Sequence, residues 1–502
     1  MISLILNELL EASRVNCKLI NRYRSLPIQL RASIWFLVCS FMQKGVSSIT
    51  TPIFTRLMTT DEYGQFSVFN SWLSIITVFV SLNLYSGVYT QGLVKFDSER
   101  DRFSSSLQGL TLILVAAWTI IYIAFHSFFN KLLSLTTVQM LAMMVIIWMG
   151  AVYQFWAVEQ RVALRYKRMV LITALATILR PALCVVLVLR SKDKVTARIL
   201  GMATMDLIIY IGLFFSQMCR GKVFFSKRIW LYVLKFNLPL IPHYLSMSVL
   251  GSSDRIMIQN MVGSGEAGIY NLAYSISLIM TMFNTALLQT IEPWLFRKIK
   301  DKRIGDIAGV AYPAFLLIAC INLLLIVLAP EVITIFAPKA YHEAVWVIPP
   351  VAMSVFFMFA YSFFSAFEFY YEKTNYVMLA TSLSAALNIG LNYIFIRRYG
   401  YIAAAYTTLV CYICYTAFHY VFMSSICKRF INGEKPYNLR ILIGISCVFM
   451  LAGFGFMATY RHDVLRYALI IVAAITMLIK RHAFVGTIQR MLDLKKMSQN
   501  NK

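Results

Sequence analysis

Long apolar stretches, interrupted at short intervals by charged or proline- and glycine-bearing segments, dominate this chain of 502 residues. Reading each stretch out to its flanking charges gives fourteen runs: 32–58, 63–90, 106–127, 138–159, 169–189, 197–218, 231–262, 269–295, 306–328, 345–371, 376–396, 401–424, 438–459 and 465–480. A helix needs roughly 20 apolar residues to cross about 30 Å of hydrocarbon. Several runs exceed that length, which implies tilt or helical extension beyond the bilayer; the last is the shortest. The pattern predicts an all-α membrane protein of about 14 transmembrane helices.

Fourteen spans place both termini on one side, and the connecting segments indicate which. With the N-terminus inside, 32 Lys and Arg fall on the cytoplasmic side and 10 on the outer side, with Lys44, Arg180, Arg198, Lys235 and Arg255 inside spans. Dense clusters such as Arg161/Arg165/Lys167/Arg168 and Arg297/Lys298/Lys300/Lys302/Arg303 all fall inside. This asymmetry over many short loops orients the chain with both ends cytoplasmic. No loop exceeds about 20 residues, too few for a folded domain outside the bilayer. Any chemistry must then take place within the helix bundle, and a transporter is expected rather than an enzyme.

Composition narrows the picture further. Hydrophobic residues make up 59% of the chain and charged ones 14%, against about 25% charged in soluble domains; the mean hydropathy is +0.69. A net charge of +25 on a soluble protein would suggest nucleic acid. Here the basic residues are spread in clusters between apolar runs, as in loops facing anionic lipid, so membrane lipids and not nucleic acid are the expected partners. Nine cysteines are scattered, most of them inside apolar runs, where a thiol behaves as a small hydrophobe. Cys411 and Cys414 have redox-motif spacing but sit mid-span. The first 31 residues are polar and basic, so no cleavable signal peptide is expected.

Two segments repeat at an offset of 204 residues: Arg56-Leu-Met-Thr-Thr-Asp-Glu-Tyr-Gly-Gln-Phe66 after span 1 and Asn260-Met-Val-Gly-Ser-Gly-Glu-Ala-Gly-Ile-Tyr270 after span 7. They align Gly64 with Gly268 and Phe66 with Tyr270. Six spans separate them, an even number, so both halves run the same way. Two parallel six-helix lobes about an axis along the membrane normal are a recurring transporter plan. The expected division is a cytoplasmic segment 1–31, an N-lobe 32–218, a linker 219–230, a C-lobe 231–424, two further helices within 425–480 and a basic tail 481–502.

Motifs of soluble enzymes are missing: there is no HExxH, no GxxxxGK[ST] and no Asp-x-Asp pair, and neither a cofactor nor a metal is expected. Gly263-Ser-Gly265-Glu-Ala-Gly268 satisfies GxGxxG, but it lacks the preceding strand a dinucleotide site requires and reads as a tight turn between helices. Ionisable groups inside spans carry more information, because a charge at mid-bilayer costs at least about 2.5–3.5 kcal/mol and usually faces a bundle interior or wet cavity. Lys44, Arg255 and Arg180 are candidates for a cavity that binds an anionic head group, where guanidinium matches phosphate oxygens. Asp254, Asp206, Glu292 and Glu368 are candidate coupling-ion or structural carboxylates; for Asp254 and Arg255 a mutual structural pair is the alternative. Asn83, Asn284, Asn388 and Asn392 are candidate cavity or helix–helix contacts; Asn388 and Asn392, four apart, share a face.

Several ordered segments resemble the polysaccharide transporter branch of the multidrug/oligosaccharidyl-lipid/polysaccharide exporter superfamily. They are Thr51-Pro52-Ile-Phe-Thr-Arg56-Leu with Asp61-Glu62-Tyr63-Gly64; Asp254-Arg255-Ile-Met-Ile with Gly268-Ile-Tyr270-Asn-Leu-Ala-Tyr274; Tyr341, Ala344 and Ile348-Pro349; and Asn388-Ile-Gly-Leu-Asn392 with Tyr399-Gly400-Tyr-Ile-Ala-Ala-Ala405-Tyr-Thr-Thr408. O-antigen flippases are the most similar members. The resemblance implies two six-helix lobes around a central cavity, two extra C-terminal helices and alternating access. It also implies an undecaprenyl-diphosphate-linked oligosaccharide as substrate in a bacterial inner membrane, with a polysaccharide polymerase and a chain-length regulator as working partners. Lys44, Asp254 and Arg255 fall in helices that line the family cavity. Where the second half carries Asp254-Arg255 the first has Thr50-Thr51, a departure that argues against a symmetric basic site. A multidrug antiporter of the same fold, which would need acidic cavity residues, and a polysaccharide polymerase, which would need a larger outer loop, are the alternatives.

Overall fold

The computed structural model describes residues 28–479, and among them there is no strand. The expected N-terminal segment up to residue 27 and the basic tail 481–502 lie outside the described residues, as does the side chain of Lys44. Among the described residues, eleven helices are long and apolar enough to cross a membrane. Three more occupy the places of spans 1, 7 and 14: α1 (Ile28–Leu57), α10 (Ile241–Met261) and α19 (Asp463–Ile479). α1 and α10 are the more polar, carrying Gln43 and Lys44, and Ser252, Ser253, Asp254 and Arg255. Such residues do not face hydrocarbon without cost, and Ser252, Ser253, Asp254 and Arg255 of α10 are all buried.

The first lobe contains α1, α2 (Thr60–Ser81), α3 (Gly87–Lys95), α4 (Arg100–Ala124), α5 (His126–Leu133), α6 (Thr137–Val162), α7 (Tyr166–Arg190) and α8 (Lys194–Gly221). α9 (Lys227–Asn237) leads into the second lobe: α10, α11 (Ser264–Leu278), α12 (Thr281–Lys300), α13 (Ile307–Val327), α14 (Ala329–Phe336), α15 (Ile348–Tyr370), α16 (Thr374–Tyr399) and α17 (Ala403–Phe430). α18 (Leu439–Ala458) and α19 follow. The packing repeats: α6 on α8, α1 on α7 and α7 on α8 in the first lobe correspond to α15 on α17, α10 on α16 and α16 on α17 in the second. The two lobes are thus built on one plan.

Three expected spans are broken, each for a local reason. Run 63–90 divides into α2 and α3 at Leu82 and Asn83, both with positive φ; Asn tolerates that region because its amide bonds locally. Asn83 is therefore a turn residue, accepting from the Tyr85 hydroxyl at 2.9 Å. Run 231–262 divides at Pro239 and Pro242, which fall in the first turns of a 3₁₀ segment and of α10, where a missing N–H costs nothing. The severed part, α9, buries Ile229, Val233 and Asn237 at four-residue spacing while Lys227, Arg228 and Lys235 stay exposed, the pattern of an interfacial amphipathic helix. Run 269–295 becomes α11 and α12, joined by a tight turn at Ile279–Met280.

At the end of the bundle that carries the α1–α2 turn, called here the upper end, the lobes are sealed. α2 crosses α11 with Gly64 against Gly268. A Cβ on Gly64 would stand 1.7 Å from the Ser264 carbonyl oxygen, and one on Gly268 2.3 Å from that of Thr60. Only glycine permits this approach. Around it, Thr55 Oγ1 donates to the Phe336 carbonyl (2.8 Å), Arg56 Nη2 to Ile335 (2.9 Å) and the Tyr341 hydroxyl to Thr59 (3.3 Å). The two glycines matched in the repeat meet across the pseudo-twofold.

Candidate head-group site

Two arginines stand at the sealed upper end, one from each lobe. Arg198, one turn into α8, holds its guanidinium between the rings of Phe54 (3.7 Å) and Phe66 (3.6 Å), from α1 and α2, with Tyr63 at 5.6 Å. Arg255 of α10 lies over the Tyr274 ring at 3.9 Å and donates through Nε to Asn271 Oδ1 at 3.1 Å. Between them the Tyr63 hydroxyl is within hydrogen-bonding reach of Asn271 and within electrostatic range of both guanidinium groups. Neither arginine has a carboxylate within ion-pair distance among the described residues. Aromatic faces hold a guanidinium in place; Arg198 Nη1 also donates to Met58 Sδ at 3.7 Å and Arg255 Nη1 to the Gly251 carbonyl, so only part of each N–H edge remains for a ligand. A pair held this way can receive an anion with two or more oxygens.

Asp254 and Arg255 do not pair, because consecutive helix residues point about 100° apart. Asp254 faces α16 and α17, fully buried. Oδ2 accepts from the Tyr270 hydroxyl (2.7 Å) and Thr408 Oγ1 (2.9 Å), and Oδ1 from Asn392 Nδ2 (2.6 Å). Asn392 Nδ2 also donates to Asn388 Oδ1 (3.1 Å), which receives Ser253 Oγ at 2.8 Å, and Thr407 donates to Asn392. This knot ties α10, α11, α16 and α17 together, and both asparagines act as helix–helix contacts within it. Replacing Asp254 with Ala leaves three buried donors without an acceptor, at about 1–3 kcal/mol each. The expected result is a melting temperature well below wild type in detergent, or failure to accumulate in membranes; an unchanged melting curve would refute the assignment.

Arg180 is committed elsewhere. Its Nη2 lies 3.0 Å from Asp206 Oδ2, joining α7 to α8 within the first lobe. This pair takes up one candidate head-group residue and one candidate coupling carboxylate together. Arg180→Ala is expected to lower thermal stability while leaving transport activity in complementation near wild type. Asn284, from α12, donates to the Val355 carbonyl of α15 at 2.9 Å, another helix–helix contact. Glu292, on α12, is exposed. Glu368 meets His419 in the lower half of the second lobe, 2.7 Å apart. Arg198, in sequence only a charge within a span, and Arg255 both lie within electrostatic range of Tyr63, while Arg180, held by Asp206, lies within electrostatic range of Arg198.

A model of the family described as polysaccharide biosynthesis protein matches residues 30–299, more than half of the chain. The chain belongs to this family. The match begins in α1 and runs through α12, so it covers both arginines and the α2–α11 seal. A putative protein of the Lsg locus of Haemophilus influenzae is 24% identical over 382 residues, 71% of this chain and 88% of that protein. An uncharacterized membrane protein of the same organism is 21% identical over 379 residues, 72% of this chain and 89% of its own length. Among solved structures, the lipid II flippase MurJ in an inward closed conformation superposes with a TM-score of 0.61 at 14% identity, over 87% of this chain and 100% of that one. An inward-facing multidrug resistance MATE transporter of the MOP superfamily gives 0.58 at 16% identity, over 77% and 96%. The polysaccharide transporter resemblance drawn from the ordered segments holds, and the fold is that of this transporter superfamily.

Proposed function

We propose that this protein carries an undecaprenyl-diphosphate-linked oligosaccharide, of the O-antigen type, from the cytoplasmic to the periplasmic leaflet of a bacterial inner membrane by alternating access. The upper end is then periplasmic and both termini are cytoplasmic, a reading that the charge asymmetry of the loops supports. The observation that carries the reading is the placement of Arg198 and Arg255: two guanidinium groups, one on each lobe, held on aromatic rings near the α2–α11 seal, both within range of Tyr63 and without a carboxylate at ion-pair distance among the described residues. A diphosphate cannot enter hydrocarbon bare, and charge-assisted bonds to two arginines offset part of its desolvation. The polyprenyl tail stays in lipid throughout.

An antiporter for organic cations would have to present carboxylates to the cleft. Asp206 is paired with Arg180, Asp254 has three hydrogen bonds, and Glu368 is paired with His419; Glu292 alone remains exposed. The arrangement favours an anionic head group. The test is a deletion strain in which lipid-linked repeat units are quantified in each leaflet. Accumulation in the cytoplasmic leaflet supports the reading, whereas accumulation of single units in the periplasmic leaflet would point to a polymerase and overturn it.

A further inference from the structure

His419 of α17 and Glu368 of α15 form a pair with no exposed surface on either side chain. His419 Nδ1 and Glu368 Oε1 face one another at 2.7 Å. The other two polar atoms, His419 Nε2 and Glu368 Oε2, are buried and have no hydrogen-bond partner. The imidazole is enclosed by Tyr361, stacked at 5.3 Å, and Tyr415, edge-on at 4.5 Å. The upper-end site does not use this pair, nor does the Asp254 knot. A purely structural hydrogen bond between helices would be served by an Asn or a Ser, as elsewhere in this lobe. Two titratable groups, each with a second buried polar atom that no described residue partners, call for another account.

Charge states decide the matter. A neutral imidazole beside a carboxylate carries net charge −1. With one further proton, shared between Nδ1 and Oε1, the pair is neutral overall. Among the described residues, the titratable groups around it are Tyr361 on α15, Tyr412 and Tyr415 on α17 and Glu292 on α12, none of which can be a cation, and His243 on α10, which bonds Thr381 Oγ1 at 3.0 Å and balances the −1 state only if it too is protonated. A net charge in a dry site costs several kcal/mol, so the closed, anhydrous arrangement belongs to the neutral state with its extra proton. Losing that proton requires water to reach the pair, which means that α15 and α17 must part.

We infer that Glu368 and His419 form a proton-binding site in which one exchangeable proton locks the dry packing of the second lobe and its release accompanies opening of that lobe to water. The step is a simple proton transfer. Hydronium gives up a proton to the Oε1–Nδ1 contact: one of its O–H bonds breaks, one O–H or N–H bond forms on the pair, water is left behind, and the pair's charge rises by one. Because occupancy and hydration are linked, a proton gradient biases the conformational equilibrium. That last clause rests on the transport reading; proton binding itself does not.

The two parts are tested separately. Purified protein in lipid nanodiscs is titrated while carboxyl C=O and imidazole bands are followed by infrared difference spectroscopy, for wild type, Glu368→Gln and His419→Gln. Glu368→Gln is expected to lose one titrating carboxyl signal, and His419→Gln to lose one titrating imidazole signal and shift that carboxyl signal, whereas an Asp206→Asn control retains both unchanged; His419→Gln serves where Glu368→Gln does not accumulate. Identical difference spectra in wild type and both variants would overturn the site. In proteoliposomes carrying a fluorescent polyprenyl-diphosphate probe, an imposed pH gradient is expected to accelerate wild-type translocation several-fold and to leave either variant's unaccelerated rate unchanged. Equal acceleration in wild type and variants would overturn coupling. Wild-type protein that moves no probe would refute the transport reading, while the infrared result still decides the proton site.

Discussion

Cells whose only copy of the protein carries Arg198→Ala and Arg255→Ala together are expected to lose surface polysaccharide, although the protein reaches the membrane at normal levels. Each guanidinium contributes a charge-assisted interaction of about 1.5–3 kcal/mol with an anionic head group, so each single variant should slow translocation at least about tenfold. The two arginines lie on different lobes and both act on Tyr63, so their effects should be less than additive. Lysine at either position should rescue only part of the loss, because an ammonium keeps the charge but neither the planar fork nor the stacking between Phe54 and Phe66. Export is read as surface polysaccharide and membrane level by immunoblot. Normal polysaccharide from a well-expressed double variant would sink the head-group site.

The fold was legible because its largest signal, the run of apolar residues, depends on nothing beyond the span itself. Breaks within spans were harder to see. Run 231–262 stays apolar across Pro239, and only the four-residue spacing of Ile229, Val233 and Asn237 separates α9 as an interfacial helix. Asn83 reads as an interior amide until its backbone places it at a left-handed turn. The head-group site was half legible. Arg255 stood out inside a polar span, whereas Arg198, near the end of an apolar one, has the sequence appearance of a residue that snorkels. What distinguishes it is the pair of rings from Phe54 and Phe66, on two other helices. The mismatch of Thr50-Thr51 with Asp254-Arg255 had argued against a symmetric basic site, and the symmetry is indeed broken: the first lobe's arginine comes from α8 rather than α1. His419, a lone histidine in an apolar run, gave no signal until Glu368 was found opposite.

Alanine at Gly64 or Gly268 is expected to hold the protein away from the closed-upper state. The contact is backbone against backbone: the new Cβ would meet the Ser264 or Thr60 carbonyl oxygen at 1.7 or 2.3 Å, and no flexible side chain is present to move aside. Overpacking of this kind costs about 1–3 kcal/mol after relaxation, which shifts a two-state equilibrium by roughly fivefold to more than a hundredfold. Since α2 and α11 meet across the lobe boundary, the strain is relieved by separating the lobes and not by unfolding either one. Thermal stability should therefore change little while accessibility changes greatly. Ala267, adjacent to the seal and fully buried, is a suitable reporter: an Ala267→Cys thiol should react slowly with a membrane-impermeant maleimide in the parent and at least about tenfold faster with Gly64→Ala, above the background of the exposed Cys219 and Cys447. Export should fall in parallel, because a carrier that cannot reseal its upper end cannot return to collect substrate from the other side. Unchanged labelling together with normal export would mean that the glycine crossing is not the gate. Faster labelling with normal export would mean that the gate opens there but that closing it does not limit transport.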